Sequence, residues 1–168
     1  MTIMRIRTLG DPVLRQPTKP IETFDDALRR LADDLFETMY DAPGVGLAAN
    51  QVGLQLACFV FDDREGSKGF VANPELSEPE GEQTESEGCL SIPGPYADTP
   101  RARSVRLRGL DLDGRPLELE GSELLARIFQ HETDHLNGHL YVDRLDDAGR
   151  RDVMRQLREI ELKRAQAD

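Results

Sequence analysis

The first long hydrophobic pattern in the chain has the spacing of an α-helix. Its apolar positions recur every three or four residues and are Phe24, Leu28, Leu31, Leu35 and Met39. Residues 23–26 read T-F-D-D, a helix start with an acidic first turn, and the Pro-Gly pair at 43–44 is a helix stop. The pattern therefore predicts an amphipathic helix over about residues 25–40.

Between residues 55 and 120 the pattern changes to short apolar and alternating runs, which are typical of β-strands. The runs lie at residues 55–61, 69–73, part of 76–87, 104–110 and 117–120. An Asp-Gly pair at 113–114 separates the last two runs and indicates a hairpin turn. Strands that cluster in this way favour antiparallel or mixed sheet over a doubly wound parallel sheet.

Two more helical patterns complete the chain. One covers about residues 122–136, and the other covers about 147–165, where Val153, Leu157 and Ile160 share one stripe. We therefore predict an α+β fold: a compact single domain over residues 1–168. Mostly antiparallel or mixed sheets pack around the first of these helices, and a C-terminal helix covers about 147–168.

Composition and charge narrow the class of protein. The chain has 168 residues, of which 38% are hydrophobic, and its net charge is −11. This acidity disfavours broad binding to nucleic-acid phosphates, so we expect no DNA partner. No apolar run is long enough to span a bilayer, and residues 1–7 lack the apolar core of a signal peptide. We expect no membrane association and a cytoplasmic protein. The cysteines, Cys58 in an apolar run and Cys89, form no disulfide scaffold.

The strongest chemical signal is an H-E-x-x-H pattern at residues 131–135. His131 and His135 are four residues apart, so in a helix both imidazoles lie on one face and reach one metal ion. Glu132 then lies beside the ion as a general base. Ser122 is a suitable N-cap for this helix, and the Asn-Gly pair at 137–138 ends it. His139 lies beyond that stop and is interpreted as a surface or structural residue.

A catalytic metal site needs a third protein ligand and an open position. Cys89 is a candidate because Gly88 lets the backbone approach closely and residues 93–95 (P-G-P) are rigid. A bound metal ion would hold its sulfur as thiolate. The alternative is that Cys89 is a small core residue in a turn, which is common for a lone cysteine.

A third segment, residues 44–53, is rich in small residues and reads G-V-G-L-A-A-N-Q-V-G. Its Gly-x-Gly-x-x-Ala spacing resembles a dinucleotide fingerprint, but a helix pattern and Pro43 precede it where that fold requires a strand. We interpret the segment as a tight loop that brings backbone against a ligand. Gln51 offers a neutral amide donor of the type that stabilises an oxyanion.

Taken together, the three segments resemble the signature motifs of the bacterial peptide deformylases, in that family's order. They are residues 44–51 (G-V-G-L-A-A-N-Q), 87–91 (E-G-C-L-S) and 130–135 (Q-H-E-T-D-H), and weaker similarity runs from about residue 10 to 145. The resemblance implies a metal-dependent hydrolase that removes the formyl group from the N-terminal formyl-methionine of newly made polypeptides and releases formate.

The resemblance also implies roles for particular residues. Cys89, His131 and His135 would bind one divalent metal ion, and metal-bound hydroxide would attack the formyl carbon with Glu132 as general acid and base. Gln51 and the backbone N–H of Leu90 would hold the oxyanion, and Gly46 would contact the substrate backbone. Motif proximity and helical phase suggest an apolar methionine pocket, to which we assign Val45, Leu124, Ile128 and the ring of His131.

Cysteine with two histidines suits zinc or ferrous iron, and the resemblance favours Fe(II), with Zn(II) or another first-row metal as an alternative occupant. Two other functions remain open. One is another metallo-amidohydrolase or peptidase, although H-E-x-x-H peptidases usually take His or a carboxylate as third ligand. The other is a noncatalytic metal-stabilised module, which would want four closed ligands.

Three features lie outside the motifs. The last helix carries six basic residues at 150, 151, 155, 158, 163 and 164, which form a local basic face. This face could dock on the ribosome, or it could equally be a solvated surface of the helix. Arg127 lies among apolar neighbours in the metal helix and is expected either to extend to the rim of the pocket or to pair with an acid. Tyr96 stands where many members of the family carry a charged or longer polar residue.

Overall fold

The computed structural model describes residues 2–167. Its helices are α1 (Asp26–Asp41), α2 (Leu124–Leu136) and α3 (Asp147–Ala167). Its strands are β1 (Gly46–Ala48), β2 (Cys58–Asp62), β3 (Lys68–Glu80), β4 (Gln83–Cys89), β5 (Ile92–Arg101), β6 (Ser104–Leu110) and β7 (Pro116–Ser122). Within residues 2–167, none of the helices is both long enough and apolar enough to cross a membrane.

The strands form two antiparallel sheets. Five of them lie in the order β1-β2-β3-β6-β7, and β4 pairs only with β5 in a separate two-stranded sheet. This arrangement confirms the predicted α+β class with antiparallel sheet. The small sheet stands apart from the large one, and its β4 strand ends at Cys89, so the hairpin places the cysteine opposite helix α2.

Several elements lie where the pattern of the sequence placed them. Helix α1 begins after Asp25, whose side chain accepts a hydrogen bond from the Leu28 N–H at 3.0 Å. Strand β6 has the predicted bounds, and β7 follows it after the predicted turn at Asp113 and Gly114. Helix α2 ends at Leu136, just before the predicted stop; Gly138 follows with a φ of 80°, and a Cβ there would lie 2.7 Å from the Arg15 carbonyl oxygen.

The predicted N-cap of α2 is wrong. Ser122 is the last residue of β7 and is paired with Ser104, so its backbone continues the sheet. Glu123 occupies the cap position instead, with a φ of 54°, and its N–H donates to the Arg103 carbonyl at 2.9 Å. Pairing of β6 with β7 continues to Ser122, which the local sequence signal had placed at the helix cap. Glu123 is therefore the one residue between the end of β7 and the start of α2.

Two strands lie in segments that the sequence pattern described as loops. Strand β5 contains Pro93 and Pro95, which suggested a rigid turn. A proline is tolerated there because β5 is an edge strand that pairs on one side only. Strand β1 lies in the glycine-rich segment and is only three residues long. It pairs with β2, and Gly46 lies opposite Phe61. A strand this short leaves no alternating pattern to detect.

Helix α2 is held against the large sheet by aromatic packing. The ring of Phe129 meets Phe61 edge to face at 5.2 Å and Phe59 at 6.4 Å between centroids, and all three side chains are buried. A separate apolar cluster joins α3 to β5, and its members Val153 and Ile92 are fully buried. One face of α2 is therefore anchored in the core, and its opposite face is presented to the β4–β5 hairpin.

Candidate metal centre

Three potential metal ligands converge between α2 and the end of β4. The donor atoms of Cys89, His131 and His135 all lie within 4.8 Å of one another, and no fourth His, Cys, Asp or Glu joins the group among residues 2–167. The Cys89 Sγ lies 3.3 Å from His135 Nε2, which lies 3.1 Å from His131 Nε2. A tetrahedral ion with bonds of about 2.0–2.3 Å holds its donors at a similar separation, so the three groups fit one zinc or ferrous ion.

A carboxylate orients one of the histidines. The Nδ1 of His131 lies 2.5 Å from the Glu87 Oε1, which leaves the Nε2 directed at the other two donors. Histidine ligands commonly use the second ring nitrogen in this way, because the bond fixes the tautomer and the ring plane. Glu87 had no role assigned from the sequence, although it begins the segment that contains Cys89.

Glu87 is held in turn by a buried arginine. The guanidinium of Arg101 contacts both carboxylate oxygens of Glu87, at 2.6 and 3.2 Å, and its third nitrogen contacts Asp134 at 2.7 Å. Arg144 reaches the same Asp134 from the surface at 2.6 Å. The side chain of Arg101 is only 2% exposed, so its charge is compensated entirely by these two acids within residues 2–167.

The charge state of Glu87 follows from these contacts. Burial alone would raise its pKa, but the hydrogen bonds and charges of His131 and Arg101 outweigh that effect and lower the pKa to about 2. Burial lowers the pKa of His131, but its hydrogen bonds with Cys89 and Glu87 raise it well above the usual value. Glu87 is therefore a carboxylate that accepts the proton on His131 Nδ1.

Glu132 has a very different environment. Glu132 lies on the wall of the cleft, and the residue is 4% exposed to solvent. One of its carboxylate oxygens has no hydrogen-bond partner among residues 2–167. Burial raises the pKa of Glu132 to about 7, against the lowering effect of the neighbouring His131. A carboxyl group with a pKa near neutrality is suited to accept and return a proton.

The amide of Gln51 is also held in a fixed orientation. Its Oε1 accepts the N–H of Ala48 at 2.9 Å, so its Nε2 points the other way, to the Ser91 hydroxyl at 3.1 Å and the Cys89 Sγ at 3.7 Å. The neighbouring Asn50 ties this segment to α2 by donating to the His135 carbonyl at 2.5 Å. The N–H₂ group of Gln51 is therefore directed into the site beside the cysteine.

A cleft of about 580 Å³ opens onto this centre. Its lining includes every residue to which the sequence assigned a role except one: Val45, Gly46, Gln51, Cys89, Leu90, Leu124, Ile128, His131 and Glu132. The exception is His135, which is 1% exposed and lies behind the cleft wall as the innermost of the three donors. Leu90 is in the turn between β4 and β5, directly after the cysteine.

Three further residues were considered from the sequence. Cys58 is fully buried in β2, and burial raises the pKa of its thiol to about 12, so it is an unreactive core residue. His139 is exposed, with its ring 3.9 Å from the Asp143 carboxylate, which agrees with a surface role. Arg127 lies in the cleft wall and bonds an amide, that of Gln83, instead of an acid.

The network behind His131 escaped sequence analysis for a physical reason. Asp134 lies inside the H-E-x-x-H pattern and Glu87 lies inside the cysteine segment, so both were visible as motif positions. Arg101, which joins them, is 14 residues from Glu87 and 33 from Asp134. The sequence does not distinguish a buried strand arginine from an exposed one, because only the folded structure decides which side chain is desolvated.

The chain is similar in sequence to proteins of one known family. A profile of the family described as "Polypeptide deformylase" matches residues 3–151. The chain is 51% identical over 161 residues to a peptide deformylase of Acidothermus cellulolyticus, covering 96% of this chain and 89% of that protein. It is 50% identical over 163 residues to peptide deformylase 1 of Corynebacterium efficiens, covering 94% of this chain and 96% of that protein.

Solved structures show the same similarity in three dimensions. A peptide deformylase from Legionella pneumophila superposes with a TM-score of 0.91 at 43% identity, covering 98% of both chains. A peptide deformylase from Synechococcus elongatus in complex with actinonin gives a TM-score of 0.88 at 40% identity, covering 94% of this chain and 88% of that one. The similarity therefore extends over nearly the whole fold.

Proposed function

The chain belongs to the polypeptide deformylase family, and from that premise we propose that it hydrolyses the formyl group from the N-terminal formyl-methionine of newly made polypeptides, releasing formate. It is a metallohydrolase that acts on a linear amide. The observation that carries this function is the convergence, in one cleft, of a Cys-His-His donor set with the buried carboxylate of Glu132. A purely structural metal site would close its fourth position and would have no use for that carboxylate.

The proposed metal ligands are Cys89, His131 and His135. When bound there, a divalent ion lowers the pKa of a coordinated water to near neutrality and polarises a carbonyl oxygen. We propose Fe(II) as the native ion, with Zn(II) as an alternative occupant, because one thiolate and two imidazoles suit both. Elemental analysis of protein purified without oxygen tests this assignment, and a preparation that contains zinc alone and is fully active would contradict it.

Glu132 is the proposed general acid and base. Its carboxylate accepts a proton from the attacking water and returns it to the departing amine nitrogen, which leaves formate and a free N-terminus. Burial raises the pKa of this carboxyl to about 7, against the lowering effect of the His131 charge, and a group with such a pKa can both accept and return a proton near neutral pH. Gly46 lies against this carboxylate, and its lack of a side chain leaves room for the Glu132 side chain. The backbone of Gly46 is the proposed contact for the backbone of the substrate.

Gln51 and the backbone N–H of Leu90 are the proposed oxyanion donors. The Gln51 amide is pre-oriented by Ala48 and lies beside Cys89, so its N–H₂ group needs no reorganisation when charge develops on the formyl oxygen. The Ser91 hydroxyl, 3.1 Å from the same nitrogen, completes its support.

The methionine side chain is proposed to occupy the apolar part of the cleft, lined by Val45, Leu124 and Ile128 beside the His131 ring. Ile128 is buried and forms a floor, whereas Val45 is 38% exposed and lies at the mouth. This difference in depth suits an unbranched side chain that enters from the solvent side. The apolar wall also separates the reacting amide from bulk water.

The first test is release of formate from formyl-Met-Ala-Ser by protein purified without oxygen and loaded with Fe(II). We expect rapid release by the wild type and none by Glu132→Ala that retains its metal. Glu85→Ala is the matched control, because Glu85 lies in β4 on an exposed position away from the cleft. No release by metal-loaded wild type would favour another metallo-amidohydrolase or peptidase, or a noncatalytic metal-stabilised module.

We also propose that the protein works in the cytoplasm on nascent chains, as one catalytic domain over residues 1–168.

Helix α3 is proposed to contribute to docking on the ribosome. Arg150 and Arg155 are paired with acids of the same helix. Four other exposed cations of α3 form no ion pair within residues 2–167: Arg151, Arg158, Lys163 and Arg164. Replacing these four by serine should weaken co-sedimentation with ribosomes; unchanged sedimentation would contradict docking through this helix.

A further inference from the structure

Arg127 places a cation in the wall of the substrate cleft. It lies on α2 one turn before His131, and helical spacing puts it on the same stripe as Leu124, Ile128 and that histidine. All four side chains line the cleft. The proposed metal ligands, acid-base residue and methionine pocket leave no task for this arginine.

The guanidinium is held by a buried amide. Its Nη1 donates to the Gln83 Oε1 at 2.8 Å. Gln83 is 5% exposed, and its own Nε2 donates to the carbonyls of Ala102 at 2.9 Å and Glu123 at 3.0 Å, so its oxygen has no freedom to turn away. Arg127 is therefore pre-oriented, and little side-chain entropy remains to be lost when it binds a further group.

No acid neutralises this cation within residues 2–167. Glu123, one turn earlier on the chain, contacts Arg103 at 3.4 Å instead. Glu87 and Asp134 are buried acids that pair with Arg101, and the buried acid Glu132, which lines the same cleft, forms no ion pair with Arg127. The chain has 32 acidic and 21 basic residues, so a half-buried arginine that bonds only an amide stands out as a positive charge with spare donors.

We propose that Arg127 is a specificity-determining residue that binds a carboxylate side chain at the second or third residue of the formylated peptide. The inference rests on the proposed function, because it takes formyl-methionine as the first residue in the cleft. Four residues of helix place Arg127 about 6 Å along α2 from His131. We take the peptide to run along α2 from the proposed metal centre; because an extended peptide advances about 3.3 Å per residue, the one or two residues after methionine then span the same distance.

A carboxylate fits the guanidinium better than a neutral group does. The fork of N–H donors matches the two oxygens of Asp or Glu, and such charge-assisted bonds are about twice as strong as neutral ones. Partial burial reduces screening by water, whereas the net charge of −11 repels acidic peptides elsewhere on the surface. Arg127 thus admits acidic peptides that the rest of the molecule disfavours.

The test compares isosteric peptides in which only the charge differs. The pairs are formyl-Met-Asp-Ala against formyl-Met-Asn-Ala, and formyl-Met-Ala-Asp against formyl-Met-Ala-Asn, all as C-terminal amides so that no terminal carboxylate supplies the charge. For the Fe(II)-loaded wild type at low salt, we expect kcat/KM to favour Asp over Asn by roughly fivefold to tenfold in one of the two pairs, mainly through KM.

The variants separate recognition from a structural role. Arg127→Met should abolish the Asp preference, and Arg127→Lys should retain part of it, because the charge remains but the fork is lost. The ratio is taken within each variant, so a general loss of activity cancels. Arg108→Met is the matched control: Arg108 is an exposed strand residue, paired loosely with Glu118 at 3.6 Å and outside the cleft, and its removal should leave the preference intact.

Two results would overturn the inference while leaving the deformylase activity in place. One is a wild-type Asp to Asn ratio of one in both pairs. The other is a preference that survives in Arg127→Met, which would mean that Arg127 only anchors Gln83. A wild type that releases no formate even from formyl-Met-Ala-Ala-amide would instead refute the proposed function itself, and the inference with it.

Discussion

Glu132 and Gly46 are in direct contact: a Cβ atom on Gly46 would lie 2.5 Å from the Glu132 Oε1 and 2.9 Å from its Cγ and Cδ. Gly46 is in β1, whose pairing with β2 fixes its backbone, and Glu132 is on α2, which is anchored in the core. Neither element is free to retreat, so the glycine determines where the carboxylate of the proposed acid-base residue lies.

Gly46→Ala is therefore expected to displace the Glu132 carboxylate and to lower kcat by about 100-fold, because a shift of about 1 Å in a reacting group has an effect of that size. Metal content should stay at one ion per chain, since the alanine does not touch the three donors. Gly69→Ala is the control, because its Cβ would meet only the Phe61 ring at an ordinary 3.4 Å. Gly46→Ala with wild-type kcat would contradict this role.

The buried charge of Glu132 should make the metal-free protein less stable as pH rises. Burial raises its folded pKa from 4.5 to about 7, so the penalty is absent below the unfolded value and complete above the folded one. A difference of this size is about 3 kcal/mol by linkage. In the presence of a chelator, the Tm of Glu132→Gln relative to wild type should therefore rise between pH 5 and pH 8. An equal difference at both values would refute the charge penalty.

Glu87→Gln is expected to weaken metal binding by about 10- to 100-fold, the usual effect of removing a carboxylate that orients a histidine ligand. His131 would keep a hydrogen-bond acceptor, but a neutral one, and Arg101 would retain Asp134 as its only acid. Competition with a fluorescent chelator measures the change. Glu85→Gln, on the same strand and exposed, should behave as wild type; equal affinities of the two variants would contradict the role of Glu87.

Leu124→Ala should widen the methionine pocket and reduce the preference for formyl-Met over formyl-Ala peptides by about tenfold, as expected for the loss of apolar contacts at one wall. The readout is the ratio of kcat/KM for the two peptides. Leu125→Ala is a matched control: this neighbour packs towards the core cluster of Phe59 and does not line the cleft. If the ratio is unchanged in Leu124→Ala, then Leu124 is not part of the methionine pocket.

Local periodicity accounts for what sequence analysis predicted correctly. The histidines at 131 and 135 share a face because any helix places residues four apart together, whatever it packs against. Helix α1 and strand β6 were likewise predicted with nearly correct bounds, since the spacing of apolar residues and the turn signals lie within a few positions of each other. The family resemblance then assigned roles to those positions.

Signals that depend on contacts distant in sequence were missed or misjudged. Ser122 has the chemistry of an N-cap, but pairing with Ser104 retains it in β7. The prolines of β5 argue against a strand unless it is known to be an edge. For Arg127, the sequence indicated a rim position or an acidic partner, and the buried amide of Gln83 was not foreseeable from a position 44 residues away.

By itself, the sequence determined the donor set, the helix that carries two of its members and the identity of the buried acid, because these follow from residue type and short-range spacing. Only the tertiary structure decided which side chains support them. Arg101 is a buried partner of Glu87, and Gly46 is a spacer for Glu132, since desolvation and close approach depend on elements brought together from distant parts of the chain. The same packing left Arg127 in the cleft wall, where no acid of the described residues 2–167 pairs with it.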